Sequence, residues 1–405
     1  MQPATRTALA GMAMLALAMG ISRFLLTPLL PLMQADAGLG LAAGGWLASI
    51  NLAGYLAGAL LCVLVAMPVR LAIGAGLFGV ALSTLGMGLA SGVAGWLGWR
   101  LLGGLASAAL TVHGIAWGMQ RLRAAGRESL EGLLFSGTGV GIVGSGVLVA
   151  LLAPLGATSS ALWIGFGLLC IPLAAMAWRA IQAPAPLPAI APVHAEPASH
   201  APSGPAWTLA LAYGLMGFAY VVPATFLPLV AVEQLHQPAL REWFWPLFGG
   251  ATTVATLAMP KLPARLDNRI LLAACCASML AGIVLCVAWP TLAGVCIGTV
   301  LIGAVIMPFV MLVMREARLL APADPTRLIA LLTTVLGIGQ VIGPVAAAWL
   351  AQRSHGFALP MLVAAAVTAL ALWSVLLRRV VPAPAPAPAP GRAVSTEAVS
   401  PGCCS

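Results

Sequence analysis

Arg23 and Arg100 stand inside runs that are otherwise apolar, the first in "MGISRFLLTPLLPLM" and the second in "WRLLGGLASA". A guanidinium is permanently charged and offers a planar fork of donors that matches a carboxylate. In the middle of a bilayer a cation costs about 2.5–3.5 kcal/mol on insertion scales, so it should face a protein interior or water. All ten acidic residues fall in loops or near the ends of the apolar runs, so no carboxylate maps to the same depth. The missing counter-charge is then a bound anion of carboxylate type, or the arginines bond backbone carbonyls and hold the fold.

Other polar groups in apolar runs are few. Tyr213 and Tyr220 are seven residues apart and share a helical face, where a phenol beside an apolar ring suits a ligand with a carboxylate and a hydrocarbon body. Core packing is the plainer role for both. Asn51, Tyr55 and Gln340 can reach a ligand or serve as polar glue between helices. His113 is the one histidine within an apolar run. It lies thirteen residues from Arg100, a rotation of about 220° that takes it off that face, so a packed neutral ring is favoured over a proton relay.

Several chemistries are excluded. The one lysine, Lys261, follows "AMP" and not a glycine-rich run, so there is no Walker loop, and His-Glu-x-x-His is absent. No enzyme, cofactor or metal site is expected. Six cysteines lie in apolar runs without Cys-x-x-Cys spacing, where cysteine acts as a small hydrophobe; Cys403 and Cys404 are adjacent near the C-terminus.

The elements that must position these groups are set by composition. The 405-residue chain is 61% hydrophobic and 7% charged, against about 25% charged in soluble domains. Twelve apolar runs of bilayer-spanning length are expected, at 8–33, 42–66, 69–90, 94–118, 133–154, 159–179, 207–231, 243–261, 270–289, 291–314, 327–351 and 357–377. The first reads as a retained helix and not a signal peptide. Of the nineteen Lys and Arg residues, fifteen fall on the side that holds both termini and two, Arg241 and Arg353, on the other. By the positive-inside rule both termini are cytoplasmic, and the basic balance needs no nucleic acid to explain it.

The proline-rich stretch 182–206 reads as a disordered linker between halves 1–181 and 207–380, and 381–405 as a stiff tail. The halves look duplicated. "MGISR" from Met19 and "PL" from Pro31 align at one offset with "MGFAY" from Met216 and "PL" from Pro228. Glycines at helical spacing in the fifth and eleventh runs, Gly137, Gly141 and Gly144, then Gly339 and Gly343 beside Pro344, allow close helix contact. That contact is either where the halves separate and re-form, or ordinary packing.

The segments "MGISRFLLTPLLPLMQ", "GGWLASINLAGYLAGALL", "LLFSGTGVGIVGSG" and "LGIGQVIGP" resemble the major facilitator superfamily, and within it the YbfB/YjiJ-type branch of bacterial inner-membrane proteins. The resemblance implies an all-α fold of twelve transmembrane helices in two six-helix halves, with the first, fourth, seventh and tenth lining a central cavity. Arg100 resembles the arginine of the fourth-span motif, associated with that cavity and with proton coupling. Asp36 and Glu233 would be the acids nearest a cavity mouth. The cytoplasmic gate motif is reduced to "AMPVRL" with Arg70, while "LPARLDNRILL" keeps Arg265, Asp267 and Arg269.

The expectation is therefore a monomeric secondary transporter of the bacterial inner membrane. It would move a small organic anion, with a proton as the implied coupling ion, by alternating access. The alternative is an exporter of apolar or cationic compounds in which the arginines are structural. A channel is disfavoured by the repeated, glycine-hinged halves.

Overall fold

The structure, a computed structural model, describes residues 2–65, 67–182, 204–234, 243–261, 266–321 and 326–377. Residues 183–203 of the linker, the tail from 378 onward with Cys403 and Cys404, and Arg265 lie outside the described residues. The fold is helical throughout. The helices are α1 (Pro3–Asp36), α2 (Leu41–Leu64), α3 (Val69–Leu89), α4 (Val93–Ala124), α5 (Glu128–Leu155), α6 (Ser159–Gln182), α7 (Gly204–Gln234), α8 (Phe244–Ala258), α9 (Asn268–Ala288), α10 (Leu292–Leu320), α11 (Thr326–Ser354) and α12 (Ala358–Leu377).

Among the described residues eleven helices are long and apolar enough to cross a bilayer. The twelfth expected span, 243–261, gives the shorter α8, a regular helix of 15 residues followed by a 3-10 turn over Met259–Lys261. Pro260 accounts for the stop, because a proline disfavours helical backbone at the residue before it and donates no amide hydrogen. Large apolar side chains such as Phe78 and Leu155 face outward, as a lipid-facing surface requires.

α2, α3, α4 and α6 pack among themselves, as do α7, α9, α11 and α12, and the two groups meet where α2 lies on α11 and α5 on α8. The glycines sort by partner. Gly141 lies against Gly20 of α1, and Gly137 against the Met12 carbonyl; Gly339 and Gly343 lie against Gly214 and Val221 of α7. These four pack within their own group of helices and not where the groups meet. A Cβ on Gly144 would meet nothing within 4 Å. The face between the groups is built instead by Gly139 against Thr253, Gly146 against Pro246, and Gly45 against Pro344 and Ala348. A single helix touches two neighbours, and spacing along it does not say which neighbour a small residue admits.

α1 is broken near its middle. Residues Ala16–Arg23 are π-helical, and regular helix resumes at Leu26. Pro28 has no amide hydrogen, so the Phe24 carbonyl lacks its usual donor and takes the Thr27 N–H instead, at 3.2 Å. The Arg23 carbonyl thereby loses its own helical donor. Arg100 of α4 replaces it: Nη2 donates to the Arg23 carbonyl at 3.1 Å, Nη1 to the Ser22 carbonyl at 2.6 Å, and Nε to the Leu47 carbonyl of α2 at 3.1 Å. Ser22 Oγ donates to the Gly103 carbonyl at 3.0 Å, and Asn51 Nδ2 to the Arg100 carbonyl at 2.9 Å. Three helices are thus tied at the break by groups that lipid cannot supply.

Positions paired by the offset of the two quoted segments make similar contacts. Asp36, at the end of α1, accepts from Ser159 N at 2.6 Å and from Ser159 Oγ at 2.8 Å at the start of α6. Glu233 of α7 accepts from Phe357 N at 2.9 Å at the start of α12. Both carboxylates cap helix N-termini, where amides and dipole favour an anion. Thr27 Oγ1 donates to the Ala224 carbonyl at 2.9 Å, across a separation of 197 residues. That separation equals the offset between the two quoted segments.

Asp36→Ala should cost about 0.5–2 kcal/mol through the lost cap, read as a lower Tm in detergent. Arg100→Met should lower the Tm further, because it strands three buried carbonyls at about 1–3 kcal/mol each on the scale of soluble proteins. A parental Tm for Arg100→Met would show that the break in α1 does not depend on the arginine.

Candidate functional site

A cavity of about 600 Å³ lies between the two groups of helices. Four helices give it one face each at helical spacing: Leu15, Met19 and Arg23 from α1; Thr111, Ile115 and Met119 from α4; Tyr213, Met216 and Tyr220 from α7; Met307, Met311 and Met314 from α10. α2 adds Tyr55 and Leu56, and α11 adds Leu336, Gly337 and Gln340. At one end the lining becomes charged, with Glu128, Glu131, Arg315 and Arg318. This is the mouth, on the arginine-rich side. The other end is closed by the Thr27–Ala224 bond and by Phe24, whose ring lies 6.0 Å from Trp245 of α8.

Arg23 sits deep in this cavity, with 9% of its surface exposed. Its Nη2 donates to Gln340 Oε1 of α11, and Nη1 makes a long contact of 3.6 Å to Met19 Sδ. Nε has no partner. The guanidinium carbon stands 5.0 Å from the Tyr55 ring centroid and 5.6 Å from that of Phe24, and these faces offset part of the charge. Among the described residues no carboxylate forms an ion pair with it. Tyr220 Oη, of another cavity-lining residue, is likewise buried without a partner. Unsatisfied buried donors are rare, and here two of them belong to residues that line one space.

Of the residues singled out from sequence, Arg23, Tyr55, Tyr213, Tyr220 and Gln340 come together in this cavity. Arg100 and Asn51 do not line it. They lie behind α1 in the carbonyl clamp, so of the two roles considered for the arginines Arg100 takes the structural one. His113 bonds the Ala109 carbonyl in its own helix through Nδ1 at 3.1 Å and lies away from the cavity. Asp36 and Glu233 lie at the end opposite the mouth, held as caps. Asp267 caps α9 by accepting from Arg269 N at 2.9 Å, Arg269 Nε donates to the Val375 carbonyl of α12 at 3.2 Å, and Arg70 is exposed at the start of α3. None of these three bridges the two groups of helices.

Sequence reasoning missed the acids and arginines of the mouth and the methionines of the wall. The signal for the wall was available: Met307, Met311 and Met314 recur at one helical face, but an apolar stripe on a membrane helix looks like core or lipid contact. Glu131 pairs with Arg123 at 3.6 Å. Among the described residues no group of three or more His, Cys, Asp or Glu is placed to hold a metal.

The family model described as the uncharacterised MFS-type transporter YbfB matches residues 15–376. No curated protein matches the chain. Among solved structures, a mutant of the nucleoside transporter NupG superposes with a TM-score of 0.73 at 12% identity, covering 93% of this chain and 99% of that one. A bacterial homologue of the human lysosomal transporter Spinster, inward-facing and unoccupied, gives 0.68 at 15% identity, covering 94% and 99%. Its inward-facing occupied form gives 0.67 at 13% identity, covering 93% and 97%. At such identities these likenesses speak for the fold alone. The helical architecture and the match over nearly the whole chain place it in the major facilitator superfamily, as a member of the YbfB-type transporter family.

Proposed function

We propose that this transporter carries a small organic anion by alternating access, with Arg23 as the group that binds the anion's carboxylate. The observation that carries the reading is the state of Arg23: a buried cation inside a bilayer-spanning helix, with Nε unpartnered and, among the described residues, no carboxylate paired with it. Nε and Nη2 form one edge of the guanidinium, the edge a carboxylate takes with two parallel bonds. Gln340 takes one prong of that edge with a neutral oxygen. An arriving carboxylate would take both prongs and displace Gln340, with Tyr220 Oη as a further donor. That exchange trades a neutral acceptor for a charged one, and it breaks a bond between α1 and α11.

The moving parts are the halves 1–181 and 207–380, taken as six spans each with α8 as the eighth. The arginine-rich side, assigned to the cytoplasm, is where the cavity opens, so this form faces inward. Opening outward requires the α2–α11 and α5–α8 faces to shift and the Thr27–Ala224 contact to part. Glu128 and Glu131 are the carboxylates that line the cavity. A coupling proton would therefore use them and not His113, Asp36 or Glu233.

One observation favours the alternative of apolar or cationic export: most of the wall is apolar, and two acids stand at the mouth. A thermal-stabilisation screen of the purified protein with anionic, neutral and cationic compounds separates the readings, because ligands that bind the native state raise its Tm. Acids should stabilise, and their amides and amines should not. Arg23→Gln should weaken acid binding at least about 10-fold, about 1.4 kcal/mol, while the protein still folds. Gln340→Glu should abolish acid binding by giving Arg23 an internal carboxylate, and Gln340→Ala should tighten it. Equal stabilisation of Arg23→Gln and parent by the same acid would make Arg23 structural and end the anion reading.

A further inference from the structure

We infer that the site reads its ligand strictly at one end and loosely at the other, so that this transporter accepts many hydrophobic monocarboxylates differing in the body attached to the acid. The inference rests on the reading of Arg23 as the carboxylate's partner, and it is carried by a separate observation, the methionine content of the wall. The chain has 16 methionines, and seven of them line this one cavity. Met307, Met311 and Met314 line it from α10, interleaved with Ile306, Phe309 and Val310. Met19 and Met216, equivalent positions of the repeat, stand on α1 and α7 one turn from Arg23 and Tyr220. Met119 and Met259 complete the wall.

Side-chain mechanics turn that composition into specificity. A wall of Val, Ile or Phe has few rotamers and reads the shape of what it encloses. Methionine is unbranched, with three rotatable bonds and a polarizable sulfur, and refills the space around bodies of different outline. Flexible methionine-rich surfaces are a recurrent basis of promiscuous binding. Thioethers also make favourable contacts with aromatic rings, so aromatic bodies fall within the accepted range. The volume of about 600 Å³ lies within the range of drug-sized ligand sites and exceeds what a two-carbon or three-carbon acid fills. A second carboxylate close to the first would lie against thioethers, because the other lining cations, Arg315 and Arg318, stand at the charged end beside Glu128 and Glu131; this favours monocarboxylates over compact diacids.

The test is a binding panel on the full-length protein in detergent. Acids with aromatic, branched and straight-chain bodies of similar size are each paired with the neutral amide of the same body. The acids should bind within about 10-fold of one another, against the 10–200-fold that one methylene can command in a fixed pocket, and each amide should be weaker by at least about 30-fold. Replacing Met307, Met311 and Met314 together by Ile should widen the spread among acids to about 100-fold, since a β-branched residue has one main rotamer in a helix. The same three changes to Leu give a milder variant should the Ile protein fail to fold. A parental spread of 100-fold or more, or a spread unchanged in the folded variant, overturns the methionine inference while leaving a preference for acid over amide intact. Loss of the acid preference overturns the Arg23 reading instead, so the two failures are distinguishable.

Discussion

Pro28 has no amide hydrogen, and the binding of the carbonyls freed by the break in α1 to Arg100 is the interaction on which the rest of the structure depends. A helix in lipid must satisfy its own backbone groups or find protein that will. The break leaves acceptors at Ser22 and Arg23, and one guanidinium collects both and adds Leu47 of α2. α1, α2 and α4 are held together at the depth where Arg23 leaves the backbone. The direction of the Arg23 side chain into the cavity is therefore set by a second arginine that never reaches that cavity.

The two arginines show how one residue type serves opposite ends in the same bilayer. All the bonds recorded for the Arg100 side chain are to neutral carbonyls, a stable arrangement because the donors and the backbone acceptors are each otherwise costly to bury. Among the described residues Arg23 has aromatic faces, one amide oxygen and a distant sulfur as its partners. Its charge is spread but not neutralised. Tyr220 stands at the position that the sequence offset pairs with Arg23, so one half carries a phenol where the other carries a cation. The halves agree where the paired residues do structural work, as in Asp36 and Glu233, each capping the last helix of its half.

Much of the fold was legible in the sequence. Bilayer thickness converts hydropathy into helix length, so eleven spans among the described residues followed from composition, and the offset between "MGISR" and "MGFAY" is the one that separates Thr27 from Ala224. The part of the site that lies on single helix faces was legible too: Arg23, Tyr213 and Tyr220 follow from spacing of 3.6 residues per turn. Illegible parts had a common cause. Whether Arg100 points to a ligand or a carbonyl depends on which carbonyl a neighbouring helix has freed, and hydropathy is silent about hydrogen bonds made across 77 residues. Gly141 and Gly139 differ by two positions, yet one meets α1 and the other α8.

The sequence by itself determined that this chain lives in a membrane, that it carries cations in apolar runs with no mapped partners, and that its halves carry matching segments at one offset. Those are properties of local composition and of comparison along one dimension. Only the tertiary structure decided which arginine reaches the cavity and which is a clamp, that seven scattered methionines line one cavity, and that Asp36 and Glu233 are caps. Each of these depends on helices remote in sequence being adjacent in space, and that adjacency is set by packing between faces that no single segment encodes.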